Sequence, residues 1–333
     1  MTSILISSNY LKSQALGYAE NIIETDYGLT IEASNALIHI SVYSAQTINV
    51  HIRRTTEEDI NPYTIVQKPT SSGFEYHEND TTIYLNTDLI SLEITKTPVR
   101  FIFKTRDGAI INQDDHEFGT SFNQTQSTTY KKLQAGERFI GLGEKTGPLD
   151  RRGQGYENWN TDQFAYGADT DPLYCSMPFY IGLHHELAYG IFFDNSYKTH
   201  FNFGASNDRF SSFSADGGDM NYYFIHDTSV ANILNAYSQL TGFMPLPPLW
   251  SIGYQQCRYS YYPDDEVKRI AKTFRDKDIA ADVIVLDIHY MEQYKIFTWD
   301  GKKFPNPEAL IAYLKNLGFH VVVMCDPGIK IEK

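Results

Sequence analysis

ADVIVLD (281–287) and HVVVMCD (320–326) each run through an apolar stretch into an aspartate, and SIGYQ (251–255) precedes them. The three read as consecutive buried strands separated by helices, and near-continuous apolar strands suit a parallel sheet covered on both faces. The helices are legible from their ends and faces. Pro263 fits a first turn and is followed by Asp264, Asp265 and Glu266, which suit the positive end of the helix dipole. Val267, Ile270, Ala271 and Phe274 then form one apolar stripe. In the next helix Asn306 is the N-cap, Pro307 the first helical residue, Leu310, Tyr313, Leu314 and Leu317 the stripe, and Gly318 the stop. Strand and helix alternating in this way predict a (β/α) barrel, which displays binding and catalytic side chains at the C-terminal ends of its strands. A full barrel needs eight such units over about 250 residues. About three are present here, so the expected architecture is the first part of a (β/α)8 barrel, with the remainder of its active site beyond Lys333.

Upstream the periodicity changes to two. LTIEA, LIHISVYS, INVHIRR, TIYLNT, ISLEITKT and VRFIFKT follow one another from Tyr27 onward, with further strands expected at 189–194, 199–203 and 220–225. Short alternating strands with turn residues between them predict an all-β sandwich. A helical stretch at 229–240 leads into GFMPLPPLW (242–250), where Pro245, Pro247 and Pro248 cannot lie within a helix or a central strand. The expected domains are therefore a β-sandwich over 1–245 and the start of the barrel over 246–333.

With 333 residues the chain exceeds the size at which single cores split, about 250–300 residues. A net charge of −13 argues against nucleic acid or an anionic membrane as partner. No run of about 18 apolar residues occurs, so no membrane span is expected. Three cysteines, Cys175, Cys257 and Cys325, are an odd number at spacings unlike a zinc motif. Free thiols and the lack of a signal-peptide pattern lead to a cytoplasmic expectation. The 24 tyrosines and 20 phenylalanines can stack on sugars, but as favoured strand residues they read first as core.

Asp287 ends the second barrel strand, where a carboxylate can accept hydrogen bonds from a polar substrate or cap the following turn. Tyr259 follows the first strand at the same mouth, either packing there or contacting ligand. Trp299, in FTWD (297–300), can wall a sugar site or pack under its loop. Asp326 sits in Asp-Pro-Gly, a turn signal. His289 has no partner histidine at ligand spacing, and the glycines of GLGEKTG (141–147) fit neither a dinucleotide fingerprint nor a P-loop. No cofactor or metal is expected. The polar, aromatic segment from Asn158 to Pro172 reads as a solvated connection.

Seven segments carry a resemblance to glycoside hydrolase family 31: GLGEKTGPLDRRG (141–153), WNTDQFAYGADTDPLYCSMPFYIG (159–182), LPPLWSIGYQQCRYSYYPDDEV (246–267), VIVLDIHYM (283–291), FTWD (297–300), FPNP (304–307) and DPGIK (326–330). Their order and spacing agree with the family, most closely with bacterial α-glucosidases. The resemblance implies a galactose mutarotase-like β-sandwich followed by a (β/α)8 barrel, with no cofactor. It makes Asp287 the aspartate that binds hydroxyls of the sugar at the cleavage subsite, with Ile288, Tyr259 and Ile329 lining that pocket. It makes Asp162 an acidic residue on a sandwich loop that contacts the leaving group. Members retain anomeric configuration through two carboxylates about 5–5.5 Å apart, carried after the fourth and sixth barrel strands. Both positions are expected beyond Lys333, so these residues alone are expected to be inactive, with the C-terminal remainder of the enzyme as partner and an α-linked oligosaccharide as substrate. Within the resemblance the substrate expected is α-linked glucose at non-reducing ends, with α-xyloside or α-galactoside as alternatives. A non-catalytic carbohydrate-binding or assembly module is the alternative from another class.

Overall fold

The structure, a computed structural model, describes residues 13–54, 63–326 and 328. The chain divides into two compact units, Met1–Phe243 and Met244–Lys333.

The first unit is built of antiparallel sheet. An eight-stranded sheet has the order Arg138–Gly143, Ser176–His184, Leu187–Phe193, Met220–Asp227, Thr47–Arg53, Ala36–Ser44, Gly28–Ala33, Ala19–Thr25. A five-stranded sheet runs from Ile110–Gln113 to Phe74–Glu78, and a six-stranded sheet from Gln14–Ala15 to Gly155–Asn158. Alternation puts Ile83 and Leu85 of one strand, and Ile90, Leu92 and Ile94 of the next, on one buried face. Side chains from all three sheets meet in one core. Phe224 of the large sheet stacks on Phe103 of the five-stranded sheet at 3.9 Å, and Tyr222 meets Phe213 of the six-stranded sheet at 5.5 Å. Tyr180, Tyr189 and Tyr222 are fully buried, so much of the aromatic content is core. The helix forms over Val230–Thr241, with Ser229 outside it as the cap that accepts from Asn232 N–H.

One buried acid couples this unit to pH. Glu137 is 2% exposed and accepts hydrogen bonds from the Tyr189 hydroxyl (2.8 Å) and the Gln134 N–H (2.9 Å). Burial nevertheless raises its pKa above the usual glutamate range. A carboxyl with a higher pKa folded than unfolded binds its proton more tightly when folded. Its contribution is therefore complete below the unfolded pKa and is lost as pH rises through the folded one. Glu137→Gln should flatten the decline in stability from acid toward neutral pH. Urea midpoints measured across that range check this, and parallel profiles for variant and parent would count against it.

The second unit holds a three-stranded parallel sheet, Gln255–Gln256, Val283–Leu286 and His320–Val323, with Val283–Leu286 in the centre. Helices Asp264–Asp276 and Pro307–Asn316 connect the strands. Val267, Ala271, Leu310 and Leu314 are buried from their stripes. Asn306 caps the second helix through Ala309 N–H at 3.0 Å, with Pro307 as the first helical residue. Pro263 stands just before the first helix rather than inside it. Arg275 ties the two helix ends together. Its Nε donates to Leu317 O at 2.7 Å, and its guanidinium lies 3.7 Å over the Phe319 ring.

The expected first strand at 251–255 is displaced. Leu249–Ile252 forms a 3₁₀ turn instead, with Ser251 N–H donating to Pro248 O at 2.9 Å. Pairing is confined to Gln255↔Val283 and Gln256↔Ile284. Among the described residues no helix is long and apolar enough to cross a membrane.

Candidate active site

Parallel register brings the C-terminal ends of the three strands to one side of the second unit, and the residues that follow them form the candidate site. Asp287 follows the fully paired central strand and is half-buried. Its Oδ1 accepts from Ile288 N–H at 2.7 Å, which fixes the carboxylate as the cap of the turn Ile288–Tyr290. The capping reading of Asp287 is thus met, and the residue stands at the end of the central strand. The Cys257 thiol after the neighbouring strand is pushed up by burial and by the Asp287 charge, so the carboxylate acts across the strand ends. Ile288 is half-buried against the core of this unit.

Tyr259 is 72% exposed and rests edge-on against the His289 ring, with centroids 4.9 Å apart. His289 stacks on Tyr262 (4.9 Å, 4°), meets Tyr294 edge-on, and has Nδ1 2.8 Å from the Ser260 hydroxyl. The histidine therefore joins the loop after the first strand to the loop after the second. Sequence reasoning tested it only as a metal ligand and missed this role; the surrounding Tyr259, Tyr262 and Tyr294 were the available signal.

Trp299 is half-buried. Its indole lies 4.8 Å from the Tyr290 ring and 5.9 Å from Phe304, packed against the apolar core of the second unit. Asp326 is exposed at the end of the third strand. Ile329 lies outside the described residues.

Asp162 belongs to the first unit and is exposed. Burial, then a hydrogen bond to Asp162, raises the pKa of the Tyr174 hydroxyl. The segment that carries Asp162 is anchored rather than simply solvated. Lys145, its side chain fully buried, donates to Asp171 at 2.6 Å and to Glu157 O at 2.5 Å, while Glu157 N–H donates to Asp171 at 2.6 Å. Lys145 lies in GLGEKTG, and through these contacts that stretch holds the loop.

The description "Glycosyl hydrolase 31 N-terminal galactose mutarotase-like domain" matches residues 37–202, and "Glycosyl hydrolases family 31 TIM-barrel domain" matches residues 244–333. The chain belongs to glycosyl hydrolase family 31. Alpha-glucosidase 2 of Bacillus thermoamyloliquefaciens is 36% identical to this family 31 chain over 318 residues, which is 95% of the chain and 40% of the relative. Alpha-xylosidase XylQ of Lactiplantibacillus pentosus is 29% identical over 244 residues, 70% of the chain and 31% of the relative. Among solved structures, the Flavobacterium johnsoniae dextranase of this family superposes with a TM-score of 0.86 at 30% identity, covering 93% of this chain and 38% of that one. The chain thus spans well under half the length of these relatives.

Proposed function

We propose that this family 31 chain forms part of a retaining α-glucosidase that releases glucose from the non-reducing ends of α-linked oligosaccharides. The observation that carries the reading is Asp287, a carboxylate held by its own capping hydrogen bond at the end of the central parallel strand. One carboxylate oxygen stays oriented by Ile288 N–H, which leaves acceptor capacity for two neighbouring sugar hydroxyls. Tyr259, braced by His289, and Ile288 supply the aromatic and apolar sides of the pocket. The nucleophile and the acid/base that retaining hydrolysis needs would come from the remainder of such an enzyme, of which the α-glucosidase relative is matched over 40% of its length. Free Cys175, Cys257 and Cys325 suit a reducing compartment, and we place the enzyme in the cytoplasm.

A second reading, an α-xylosidase, is favoured by the similarity to XylQ. The two substrates differ by one hydroxymethyl group: its methylene alone is worth about 1–3 kcal/mol in a hydrophobic pocket, and a site that hydrogen-bonds its hydroxyl discriminates more strongly. The test is hydrolysis of p-nitrophenyl α-glucoside and α-xyloside by the longer polypeptide, with the first-formed anomer followed by NMR. Faster release of α-glucose supports the proposal, and preference for the xyloside supports the second reading. A folded protein that cleaves neither, or yields the inverted anomer, removes the assignment.

A further inference from the structure

Two histidines meet at one turn of the large sheet in the first unit. Strands Ser176–His184 and Leu187–Phe193 are paired up to His184↔Leu187, so only His185 and Glu186 connect them. Both connecting residues are left-handed, with φ of +44° and +61°. A two-residue hairpin of this form normally takes Asn-Gly, because a side chain with a Cβ is strained at positive φ. The contact that holds the strained turn is between the rings, with His184 Nδ1 3.1 Å from His185 Nδ1. His184 is 6% exposed, and its Nε2 lies 2.7 Å from Ile111 O in the edge strand Ile110–Gln113 of the five-stranded sheet. A carbonyl only accepts, so His184 Nε2 carries a proton and ties the two sheets together.

The protons available at this contact decide its behaviour. With Nε2–H donating to Ile111, a neutral His184 has Nδ1 as acceptor, and His185 donates to it through Nδ1–H. One added proton is accommodated at either ring, on His185 Nε2 or, with a change of His185 tautomer, on His184 Nδ1. In both cases a single proton still lies between the two nitrogens. A second added proton sets two donors and two like charges face to face, and the bond is lost. The groups around the pair are Tyr189, its ring 6.3 Å from that of His184, Glu137, whose charge acts on His185, and Arg138 and Glu186, which share a cavity wall with both histidines. Asp227, on the strand paired with Leu187–Phe193, is engaged by Asn232 at 2.7 Å and by Gln46. Burial, opposed by the bond to Ile111 and reinforced by His185, holds the His184 pKa below the usual histidine range. The open cavity beside the turn, about 390 Å³, gives a released His185 ring room to move.

We propose that His184 and His185 form an acid-released latch, which keeps the turn closed with up to one added proton and opens it with the second. Because the folded pKa of His184 is lowered, the latch is fully present above the unfolded value, about 6.5, and is lost as pH falls through the folded one. That direction is opposite to the effect of Glu137. The test is amide hydrogen exchange at Leu187, corrected for intrinsic exchange, beside ¹⁵N NMR of the histidine rings. It runs on the full 333-residue chain from about one pH unit above the usual histidine value to about two below it, in the parent, His185→Asn and Glu137→Gln. At neutral pH His184 Nδ1 should be unprotonated. Once both rings are charged, exchange at Leu187 should rise about tenfold or more, as for the loss of one hydrogen bond, in the parent and Glu137→Gln alike. Phe224, in the core of the same sheet, should keep its slow exchange. Asparagine tolerates the left-handed conformation and does not titrate, so His185→Asn should keep the turn closed throughout. A proton on His184 Nδ1 at neutral pH overturns the inference. So does exchange at Leu187 that acid leaves unchanged, that rises only together with Phe224, or that rises equally in His185→Asn. Opening abolished by Glu137→Gln assigns the response to Glu137 and overturns it as well.

Discussion

Asp287→Ala in the whole enzyme is expected to lower kcat/KM for a terminal α-glucoside by about 10²–10⁴-fold. Two hydrogen bonds from sugar hydroxyls to an ionised acceptor contribute about 1.5–3 kcal/mol each, and each 1.36 kcal/mol of lost transition-state stabilisation is tenfold in rate. The fold loses less. The carboxylate also caps the turn Ile288–Tyr290 through a 2.7 Å bond, and loss of a cap costs about 0.5–2 kcal/mol. Asp287→Asn keeps an acceptor oxygen for the cap and removes the charge, so it should fall between parent and alanine variant in kcat/KM while melting close to the parent. Steady-state kinetics beside thermal melts separate the two roles. An alanine variant whose kcat/KM stays within a few-fold of the parent would remove Asp287 from the sugar site.

Lys131→Met is expected to have the largest effect on stability, about 3–5 kcal/mol, because it breaks a buried ion pair and strands one charge. Lys131 Nζ lies 2.7 Å from Asp114, with the two side chains 1% and 0% exposed. The ammonium also reaches the Tyr222 hydroxyl at 3.2 Å and sits 4.8 Å over the Tyr222 ring. Asp114 holds the Phe101 N–H at 3.0 Å through its other oxygen. Methionine nearly preserves the packed volume, so the loss is electrostatic rather than a cavity. Adding Asp114→Asn removes the stranded charge and should recover a substantial part of the loss. Urea unfolding of the single and double variants measures both. A single variant within about 1 kcal/mol of the parent would show that water or rearrangement neutralises Asp114, contrary to its burial.

The sequence was most legible where the signal is local. TIYLNT and VRFIFKT announce strands through alternation, and the structure has them at Thr82–Thr87 and Val99–Thr105. Asn306, Pro307 and Gly318 bracket a helix because each residue type suits one terminal backbone geometry, and the helix runs Pro307–Asn316. The expected strand at 251–255 failed for a similarly local reason. Three prolines just upstream and the turn closed on Pro248 leave pairing only at Gln255 and Gln256.

Sites were less legible than elements. Trp299 and Tyr259 are both aromatic residues in barrel loops, and nothing in their spacing separates an indole that packs on Tyr290 from a phenol that stays 72% exposed. His289 looked isolated because its partners come from both sides of it in the chain.

By itself, the sequence determined the two architectures, their order along the chain, the Asn306 cap and the family, because periodicity, capping chemistry and motif order are properties of neighbours in the chain. Only the tertiary structure decided that Met220–Asp227 lies beside Thr47–Arg53, that Lys131 and Asp114 are sealed together, and that Trp299 packs on Tyr290 while Tyr259 rests, mostly exposed, on His289. Those outcomes depend on register between distant strands and on which side chains exclude water from one another, and neither is encoded within a window of adjacent residues.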